Sequence, residues 1–480
     1  MAAAELITKD ARSVVAMLRR GDITPHDLLA ALEARIAEVD PAVNALPTLC
    51  FERARAHADR LMKLPAAERG ILAGLPVPIK DLTEVEGVLT THGSPIFAKN
   101  IPAKSNILVE RLEENGGVVY AKSNTPEFGA GANTFNEVFG ATLNPWNTSR
   151  SAAGSSGGAA AALASGTAWL AHGSDMGGSL RNPASFCGVV GLRPSIGRVA
   201  HTPGVQVDGT LGVEGPMARN VEDLALLLDA MAGEHAGDPL SLPTVEGQFL
   251  KAAQSGWKPK RVAYSKDLGI TPVDPEVAKI TRAAAQKLAG EGVIVEEAHP
   301  DLSEAHECFQ TLRALSFATG RAKLMREHRD LLKPEVIWNI EKGLALTIDE
   351  ISKAQAQRVT LMNRMRDFFE KYDLLLCPST IVAAFPIEER YLARCAGVEF
   401  ETYIDWLAIV YAATLACCPA LSIPCGFTSE GLPVGLQIIA PNRGEVRALA
   451  GGTFAENVLG LGALTPIVPR APASQQRQAG

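Results

Sequence analysis

Two stretches of the 480-residue sequence concentrate serine and glycine in patterns that suit covalent chemistry. The first is Ser151-Ala-Ala-Gly-Ser155-Ser-Gly-Gly158, and the second is Gly173-Ser-Asp-Met-Gly-Gly-Ser179-Leu-Arg181. A serine hydroxyl is a poor nucleophile at neutral pH, so a catalytic serine needs a base. Two glycines before Ser179 allow successive backbone N–H groups to converge on one point, because no Cβ blocks the approach. We therefore interpret residues 175–179 as an oxyanion hole beside a nucleophile.

Other interpretations of these stretches remain open from the residues alone. Gly154–Gly158 matches the G-x-S-x-G turn of α/β-hydrolases, but that turn follows a buried strand and Thr148–Ala153 is polar. A phosphate-binding loop ends in Gly-Lys-Ser/Thr, and no lysine lies between Ser123 and Lys251. Glycines are also typical of turns between strands, which explains their number but not the placement of the serines. Because no histidine lies in a recognisable catalytic motif, the base for Ser179 must be another residue type, and lysine is a known substitute.

Several motifs occur in an order that resembles one enzyme family. Gly154-Ser-Ser-Gly-Gly158 is followed by an alanine-rich helix and, 24 residues after Ser155, by Ser179. The other matching motifs are Pro76-Val-Pro-Ile-Lys80-Asp81, Lys122-Ser-Asn-Thr-Pro-Glu-Phe-Gly129, Gly173–Ala184, Cys187-Gly-Val-Val-Gly-Leu-Arg-Pro194 and Gly431-Leu-Pro-Val-Gly-Leu-Gln437. Together they resemble the amidase signature family of serine hydrolases, and the resemblance runs from about residue 10 to about residue 465.

The resemblance implies a Ser-cisSer-Lys triad that works through an acyl-enzyme. Ser179 would be the nucleophile, and Lys80 would be the base. Ser155, held after a cis peptide bond with Gly154, would be the bridging serine. Lys80 must be neutral to accept a proton, and lowering its pKa from about 10.4 to about 7 requires about 4–5 kcal/mol, which burial can supply. The apolar run Leu75–Ile79 before Lys80 is consistent with a buried amine.

The resemblance also implies an oxyanion hole with supporting residues. The donors would be the backbone N–H groups of Met176, Gly177, Gly178 and Ser179. We expect Asp175 and Arg181 to brace this glycine loop and not to react, while Gly154 eases the steric demand of the cis bond. We expect neither a metal nor a cofactor, because the eight cysteines show no metal-ligand spacing.

A few positions depart from the family pattern. Ala153 replaces the first glycine of the usual GGSSGG, which lies outside the proton relay. Thr414 and Cys417 stand where many relatives have Asn and Gly, so the shape of the pocket is expected to differ. Thr125-Pro126 replaces the Met-Asp pair of the glutaminase subunit of tRNA amidotransferases. A protein of that kind is therefore the weaker alternative.

The segment with the least family resemblance, about residues 300–410, is expected to line the acyl pocket. Its aromatic residues include Phe309, Phe317, Trp338, Tyr391, Phe400, Tyr403 and Trp406. Many of these residues must belong to the core. If even three of them face the pocket, the small-molecule substrate is a bulky apolar or aryl amide: an anilide, an acylamide or a carbamate (urethane). Esterase side activity is also expected, because esters are easier acyl donors. The alternatives are an amidotransferase-type subunit that acts on glutamine with a partner, and a binding protein without catalysis.

Helical and strand periodicities alternate along the chain and predict the elements that position these motifs. Helices are predicted at residues 11–19, 28–36, 51–62, 275–290, 312–325, 348–371 and 445–459. Strands are predicted at residues 75–79, 118–121, 261–264, 293–297, 373–376, 420–424 and 434–440. This alternation predicts an α/β fold in a single large domain, residues 1–470, with a mixed twisted β-sheet core covered by helices on both faces. Residues 471–480 are predicted to form a disordered tail.

Composition excludes several classes of function. The net charge of −7 and the pI near 5.8 argue against nucleic-acid binding. The most apolar stretch, Gly157–Ala171, is shorter than the roughly 20 residues that a membrane span requires. The N-terminus lacks the apolar run of a signal peptide, so we expect a cytoplasmic protein without a membrane anchor. A homodimer is compatible with the sequence.

Overall fold

The structure of the protein is a computed structural model, which describes residues 3–203 and 209–472. Its strands, numbered along the chain, are β1 (Thr48–Leu49), β2 (Pro76–Lys80), β3 (Val118–Ser123), β4 (Phe135–Asn136), β5 (Gly140–Ala141), β6 (Leu143–Asn144), β7 (Asn147–Ser151), β8 (Leu170–Asp175), β9 (Val190–Arg193), β10 (Val213–Ala218), β11 (Arg261–Tyr264), β12 (Ile294–Glu297), β13 (Leu374–Pro378), β14 (Arg394–Cys395), β15 (Val398–Glu399), β16 (Ala420–Phe427) and β17 (Pro433–Ile439). Its α-helices are α1 (Ala3–Thr8), α2 (Ala11–Arg20), α3 (Pro25–Val39), α4 (Phe51–Met62), α5 (Ile107–Glu114), α6 (Gly157–Ser165), α7 (Arg181–Cys187), α8 (Val221–Met231), α9 (Gln248–Ala253), α10 (Pro275–Gly290), α11 (Ala305–His328), α12 (Pro334–Leu344), α13 (Ile348–Phe368), α14 (Ala408–Leu415) and α15 (Glu445–Leu459).

The central sheet is mixed, as the sequence predicts. Its strand order is β12-β11-β13-β17-β16-β9-β10-β8. β11 runs parallel to both β12 and β13, whereas the other neighbours pair antiparallel. The parallel pair β11 and β12 is joined by α10, so the predicted strand–helix–strand unit is confirmed.

Both faces of this sheet are buried against helices, which confirms the predicted α/β architecture. Successive residues of a strand point to opposite faces, and β13 shows this clearly. Leu374 and Leu376 belong to an apolar cluster that includes residues of α10 and α15. Leu375 and Cys377 belong to a second cluster, which includes residues of α11, α13 and α14. The sheet therefore separates two hydrophobic layers of one α/β domain.

Helix boundaries follow the sequence pattern where a helix has one apolar face. The helices predicted at residues 51–62, 275–290 and 445–459 coincide with α4, α10 and α15. α3 begins at Pro25, directly after the helix-start signal at residues 22–24, because Thr24 and Asp27 form a capping box and Pro25 occupies the first turn. α14 was not predicted from periodicity. All eight of its residues are buried, so it has no polar face to produce an amphipathic signal.

A second sheet, with strand order β1-β3-β2, carries Lys80 into the interior. β2 pairs parallel with β3, so that Lys80 lies beside Ser123 in the register. Every residue of β2 is buried, and Val77 and Ile79 are fully enclosed. β2 also packs against β8, the strand that ends at Asp175. An apolar strand thus places a lysine next to the serine- and glycine-rich loops.

The predicted tail falls mostly outside the described part of the chain, because residues 473–480 are not among the described residues. The chain before it is held by Pro145 and Trp146. The Arg470 N–H donates a hydrogen bond of 3.0 Å to the Pro145 carbonyl. The Arg470 guanidinium carbon lies 4.9 Å from the centre of the Trp146 ring. The ordered fold therefore extends at least to Arg470.

Candidate active site

Lys80 is fully buried at the end of β2, surrounded by hydroxyl groups. Its Nζ lies 2.7 Å from the Ser155 Oγ, 2.9 Å from the Ser156 Oγ and 3.0 Å from the Ser174 Oγ. Burial lowers the pKa of Lys80 to about 7, although the nearby charges of Glu214 and Asp175 oppose this shift. A lysine with this pKa is partly neutral at physiological pH, so it can accept a proton.

Ser155 connects Lys80 to the cavity. It lies between β7 and α6, and the peptide bond between Gly154 and Ser155 is cis, as the family resemblance implies. The Ser155 side chain is almost completely buried, yet it reaches the wall of a cavity. Gly154 fits against the backbone of the segment that follows Ala132, where an added Cβ would lie 3.0 Å from backbone atoms. A side chain at position 154 would therefore press on the loop that supports Ser155.

Ser179 lies on the same cavity wall as Ser155. It is half-buried and occupies the turn between β8 and α7. The Ser156 N–H donates a hydrogen bond of 3.2 Å to the Ser179 carbonyl, which ties the two serine loops together. The three residues that the resemblance selects are thus brought into one place: Lys80 bonds to Ser155, and Ser155 and Ser179 face the same cavity.

Asp175 and Arg181 form a buried brace behind the glycine loop, as the sequence predicts. Arg181 donates two hydrogen bonds to the Asp175 carboxylate, at 2.8 Å and 3.1 Å. It also donates to the Val410 carbonyl and to the Gln437 side chain, both at 2.6 Å. Arg193 contacts the same carboxylate at 3.2 Å. The two arginines hold the pKa of Asp175 far below its usual range against the effect of burial, so the brace stays ionised.

The loop pairs one of its four predicted oxyanion donors internally. The Gly178 N–H donates to the Asp175 carboxylate at 3.0 Å, so this group is already paired. The Met176 carbonyl accepts a hydrogen bond of 2.8 Å from the Thr414 hydroxyl, which turns the N–H of Gly177 in the opposite direction. The Gly178 carbonyl accepts hydrogen bonds from the N–H groups at the start of α7. The Ser179 N–H belongs to the same peptide plane and therefore points away from α7. Of the four predicted oxyanion donors, Met176, Gly177 and Ser179 remain.

Sequence reasoning missed a buried pair, His172 and Glu214, beside Lys80. The Lys80 N–H donates to His172 Nδ1 at 3.3 Å, and His172 Nε2 lies 2.7 Å from the Glu214 carboxylate. A ring nitrogen that accepts from the Lys80 backbone carries no proton, so Nε2 is the one that donates to Glu214. No motif marks this pair. It depends on the antiparallel register of β8 and β10, which places Glu214 opposite Ser174.

The cavity above the two serines has a volume of about 580 Å³ and one wall formed by α11. Its lining combines apolar side chains with arginines. The apolar lining includes Leu82, Phe97, Phe128, Met176, Leu312 and Phe317. Arg313 and Arg321 of α11 and Arg358 of α13 line the same cavity. The site therefore accommodates an apolar body and also presents positive charge.

The seven aromatic residues named for the 300–410 segment divide between cavity and core, and fewer than three of them line the cavity. Phe317 lines the cavity, but the other six predicted residues do not appear among its lining residues. Phe309 stacks on Tyr411 with the ring centres 4.2 Å apart, and Trp406 packs against Phe385. The two tyrosines, Tyr391 and Tyr403, pack against each other, with the ring centres 6.1 Å apart. Aromatic content alone does not distinguish core from pocket, because both bury large apolar side chains.

The described residues, 3–203 and 209–472, lack the features of two other kinds of site. Within them, no cluster of three or more His, Cys, Asp or Glu side chains is arranged to hold a metal ion. None of the helices in these ranges has both the length and the apolar character needed to cross a bilayer.

A family model and the relatives of the chain identify an amidohydrolase that acts on amides. A family model described as Amidase matches residues 27–449, which is most of the chain. The chain belongs to the amidase signature family. The resemblance noted in the sequence motifs is thereby confirmed at the level of the family.

Several relatives match along almost their full length. The chain is 35% identical over 444 residues to an acylamidase of Rhodococcus erythropolis, covering 92% of this chain and 93% of that protein. It is 36% identical over 462 residues to the A subunit of the glutamyl-tRNA(Gln) amidotransferase of Moorella thermoacetica, covering 91% and 93%. A solved bacterial aryl acylamidase of the same family superimposes with a TM-score of 0.88 at 26% identity, covering 96% and 99% of the two chains.

Proposed function

We propose that this protein is a stand-alone amidase that hydrolyses the C–N bond of a carboxylic amide through an acyl-enzyme on Ser179. The observation that carries the proposal is the 2.7 Å contact between the buried Lys80 amine and the Ser155 hydroxyl. Ser155 faces the cavity that Ser179 also lines. A base, a bridging hydroxyl and a second hydroxyl then form one proton path from the interior to the substrate.

The acylation step uses this path in one direction. The Ser179 Oγ attacks the amide carbon while its proton passes to the Ser155 Oγ, and the Ser155 proton passes to neutral Lys80. The carbonyl oxygen becomes an oxyanion, which the N–H groups of Met176, Gly177 and Ser179 stabilise. The proton then returns from Lys80 through Ser155 to the amine nitrogen. The C–N bond breaks, and the amine leaves with the acyl group held on Ser179.

The deacylation step repeats the sequence with water. Water attacks the ester carbon of the acyl-enzyme, and its proton passes through Ser155 to Lys80. The Ser179 oxygen leaves and recovers the proton, which releases the carboxylic acid. Each cycle therefore restores a neutral Lys80, in keeping with a pKa of about 7.

The cavity supports a bulky apolar or aryl substrate such as an anilide, an acylamide or a carbamate (urethane), with esterase side activity. Phe97, Phe128, Phe317 and Leu312 supply flat and apolar contacts for such a body. The similarity to an acylamidase and to a solved aryl acylamidase supports the same class of substrate.

The test is amine release from a panel made of an aryl anilide, a fatty amide, an aryl carbamate, a short aliphatic amide and glutamine. Wild type is compared with Ser179→Ala and with Ser352→Ala, a control that removes an exposed serine of α13. We expect wild type and Ser352→Ala to release amine from the anilide, and Ser179→Ala to release none. Activity retained in Ser179→Ala would rule out this nucleophile.

The alternative is an amidotransferase-type subunit that acts on glutamine with a partner, since the A subunits of amidotransferases are among the relatives. Glutamine carries an ammonium group, which requires a carboxylate in its binding site. Asp175 and Glu214, the carboxylates that line the cavity within the described ranges, are already paired with Arg181 and His172. Turnover of glutamine in preference to the anilide, together with a copurifying protein, would favour this alternative.

The remaining sequence predictions stay part of the proposal. Residues 1–470 form one catalytic domain, the protein works in the cytoplasm on a small-molecule amide, and neither nucleic acid nor a membrane is a partner. A homodimer is compatible with this function. Light scattering on the purified protein decides its oligomeric state.

A further inference from the structure

One wall of the cavity carries two arginines on either side of a phenylalanine. Arg313, Phe317 and Arg321 follow one another at intervals of four residues in α11, so they share one face of the helix. The guanidinium carbon of Arg313 lies 4.6 Å from the centre of the Phe317 ring, and that of Arg321 lies 4.8 Å from the same centre. All three side chains line the cavity that contains Ser179.

Neither guanidinium has a carboxylate partner among the residues that the structure describes. Arg313 is buried, with 6% of its surface exposed. It donates to the Tyr403 hydroxyl at 3.0 Å, but its Nε is buried without any hydrogen-bond partner in the described ranges. The polar contacts of Arg321 with described residues are limited to the faces of Phe128 and Phe317. A guanidinium has five N–H donors, so most of the donors of this pair are available to a ligand.

The side chains of Asp175, Glu214 and Arg358, which also line the cavity, already have partners within the protein. Asp175 pairs with Arg181, and Glu214 pairs with His172. Arg358 donates to the Thr210 hydroxyl and carbonyl. Burial, with the charge of Arg313 acting in the same direction, lowers the pKa of Arg321 to about 10, while the charge of Glu127 opposes the shift, so Arg321 stays protonated at neutral pH. Within residues 3–203 and 209–472, Arg313 and Arg321 therefore line the cavity with no carboxylate in ion-pair contact, and they make fewer hydrogen bonds there than Arg358 does.

We propose that Arg313 and Arg321 bind a carboxylate of the substrate, so that the preferred amide carries an anionic group beyond an apolar or aryl body. This inference rests on the proposed function, which places the scissile amide at Ser179. Arginine is suited to this role because its planar donors match the two oxygens of a carboxylate.

The position of the pair also fits such a substrate. The Nη1 of Arg313 lies 3.3 Å from the Met176 sulfur, and Met176 belongs to the loop that presents Ser179. The aromatic rings of Phe128 and Phe317 lie against Arg321 and supply an apolar surface next to the charge. The substrate class is therefore the monoamide of a dicarboxylic acid, or an anilide with a carboxylate on its ring.

Matched substrates test the charge separately on each side of the scissile bond. For the acyl side, the 4-nitroanilide of adipic acid, with its free carboxylate, is compared with hexanoyl 4-nitroanilide. For the amine side, N-hexanoyl-4-aminobenzoic acid is compared with hexanoyl anilide. We expect kcat/KM of wild type to be at least about tenfold higher for the anionic member of one pair, because a hydrogen bond to a charged group exceeds a neutral one by about that factor.

Variants of α11 then connect this preference to the arginines. Arg321→Gln should reduce the ratio between anionic and neutral substrates to near one, mainly through KM of the anionic substrate. Arg321→Lys should retain part of the ratio, because it keeps the charge but loses the planar donors. Arg326→Gln removes an exposed arginine from the same helix and should retain the full ratio. An unchanged ratio in Arg321→Gln would overturn the proposal, as would a wild-type ratio near one for both pairs.

A binding measurement separates this inference from the proposed chemistry. Calorimetry on Ser179→Ala, with 4-phenylbutyrate and 4-phenylbutanol as probes, needs no turnover. We expect the carboxylate to bind at least about tenfold more tightly than the alcohol and to lose this advantage in Ser179→Ala/Arg321→Gln. If Ser179→Ala binds the carboxylate selectively but wild type shows no amidase activity, the catalytic proposal is refuted and the anion site is retained. Equal binding of the two probes would overturn the anion site, whatever the activity.

Discussion

Lys80 and Lys122 are both fully buried, and they lie on the neighbouring strands β2 and β3, yet their surroundings differ. Lys122 donates to the Thr83 carbonyl and to the Thr90 hydroxyl, and its Nζ lies 3.7 Å from the Asp81 carboxylate. Lys80 contacts mainly hydroxyl groups, and within the described part of the chain no carboxylate lies within ion-pair distance of it.

The difference shows how one fold gives two buried lysines separate roles. Burial lowers both pKa values, to about 8 for Lys122 and to about 7 for Lys80. Asp81 opposes the shift at Lys122 directly, so this lysine stays a cation that holds the segment after β2 against β3. Lys80 has only the more distant charges of Glu214 and Asp175, so it is the lysine that can act as a base.

The largest effect is expected from Lys80→Met, which removes the amine and keeps the length of the side chain. We expect kcat/KM for the anilide to fall about 10⁴-fold, since the relay loses its base. The free energy of unfolding should not fall, because a buried lysine without a counter-charge favours the unfolded state below its normal pKa. Amine release and urea denaturation on the same sample measure the two quantities. A stability loss equal to that of Lys122→Met would contradict the distinction between the lysines.

Lys122→Met should have the opposite profile. The variant leaves Asp81 buried without its cation, which should lower the free energy of unfolding by about 3–5 kcal/mol. The fraction that remains folded should still hydrolyse the anilide. Asp81→Asn/Lys122→Met should recover much of the stability, because removal of both charges leaves no unpaired ion. Urea denaturation of the three proteins checks this, and failure of the double variant to recover would argue against a simple ion pair.

A smaller effect should separate Ser155 from Ser156, two of the three serines whose hydroxyl groups contact Lys80. Ser155→Ala interrupts the proposed proton path and should lower kcat by about 10²–10³-fold. Ser156→Ala removes a contact of similar length, 2.9 Å, but Ser156 does not face the cavity, so the loss should be at most about tenfold. Single-turnover kinetics with the anilide measures both. Equal losses in the two variants would mean that the path does not run specifically through Ser155.

The smallest effect should come from Glu214→Gln, which removes a charge that raises the pKa of Lys80. Activity requires neutral Lys80, so kcat/KM of wild type should fall as the pH drops through about 7. In Glu214→Gln the pKa of Lys80 is lower, so the acid limb of the pH profile, the range in which kcat/KM falls, should move to lower pH. Glu84→Gln, whose charge acts on Lys122, is the matched control and should leave the limb in place. A limb that moves to higher pH in Glu214→Gln would contradict the role of this charge.

Much of the candidate site could be predicted because its residues lie in short motifs. Glycines 177 and 178 precede Ser179, and an apolar strand precedes Lys80, so local chemistry marks both positions. The same reasoning failed for the aromatic lining, since a large side chain is equally suited to the core and to a cavity. The pair His172 and Glu214 carried no signal, because their contact depends on which strands become neighbours.

The sequence by itself determined the family and the α/β class, and through the family resemblance it predicted the residues that we propose as nucleophile, bridge and base. These properties depend on the types of residue and on their spacing over a few positions, which any segment carries with it. The tertiary structure decided which lysine lacks a counter-charge, which backbone N–H of the glycine loop is already paired, and which face of α11 places Arg313 and Arg321 in the cavity that Ser179 lines. These properties depend on packing between segments distant in the chain, and burial then sets the charge of each group.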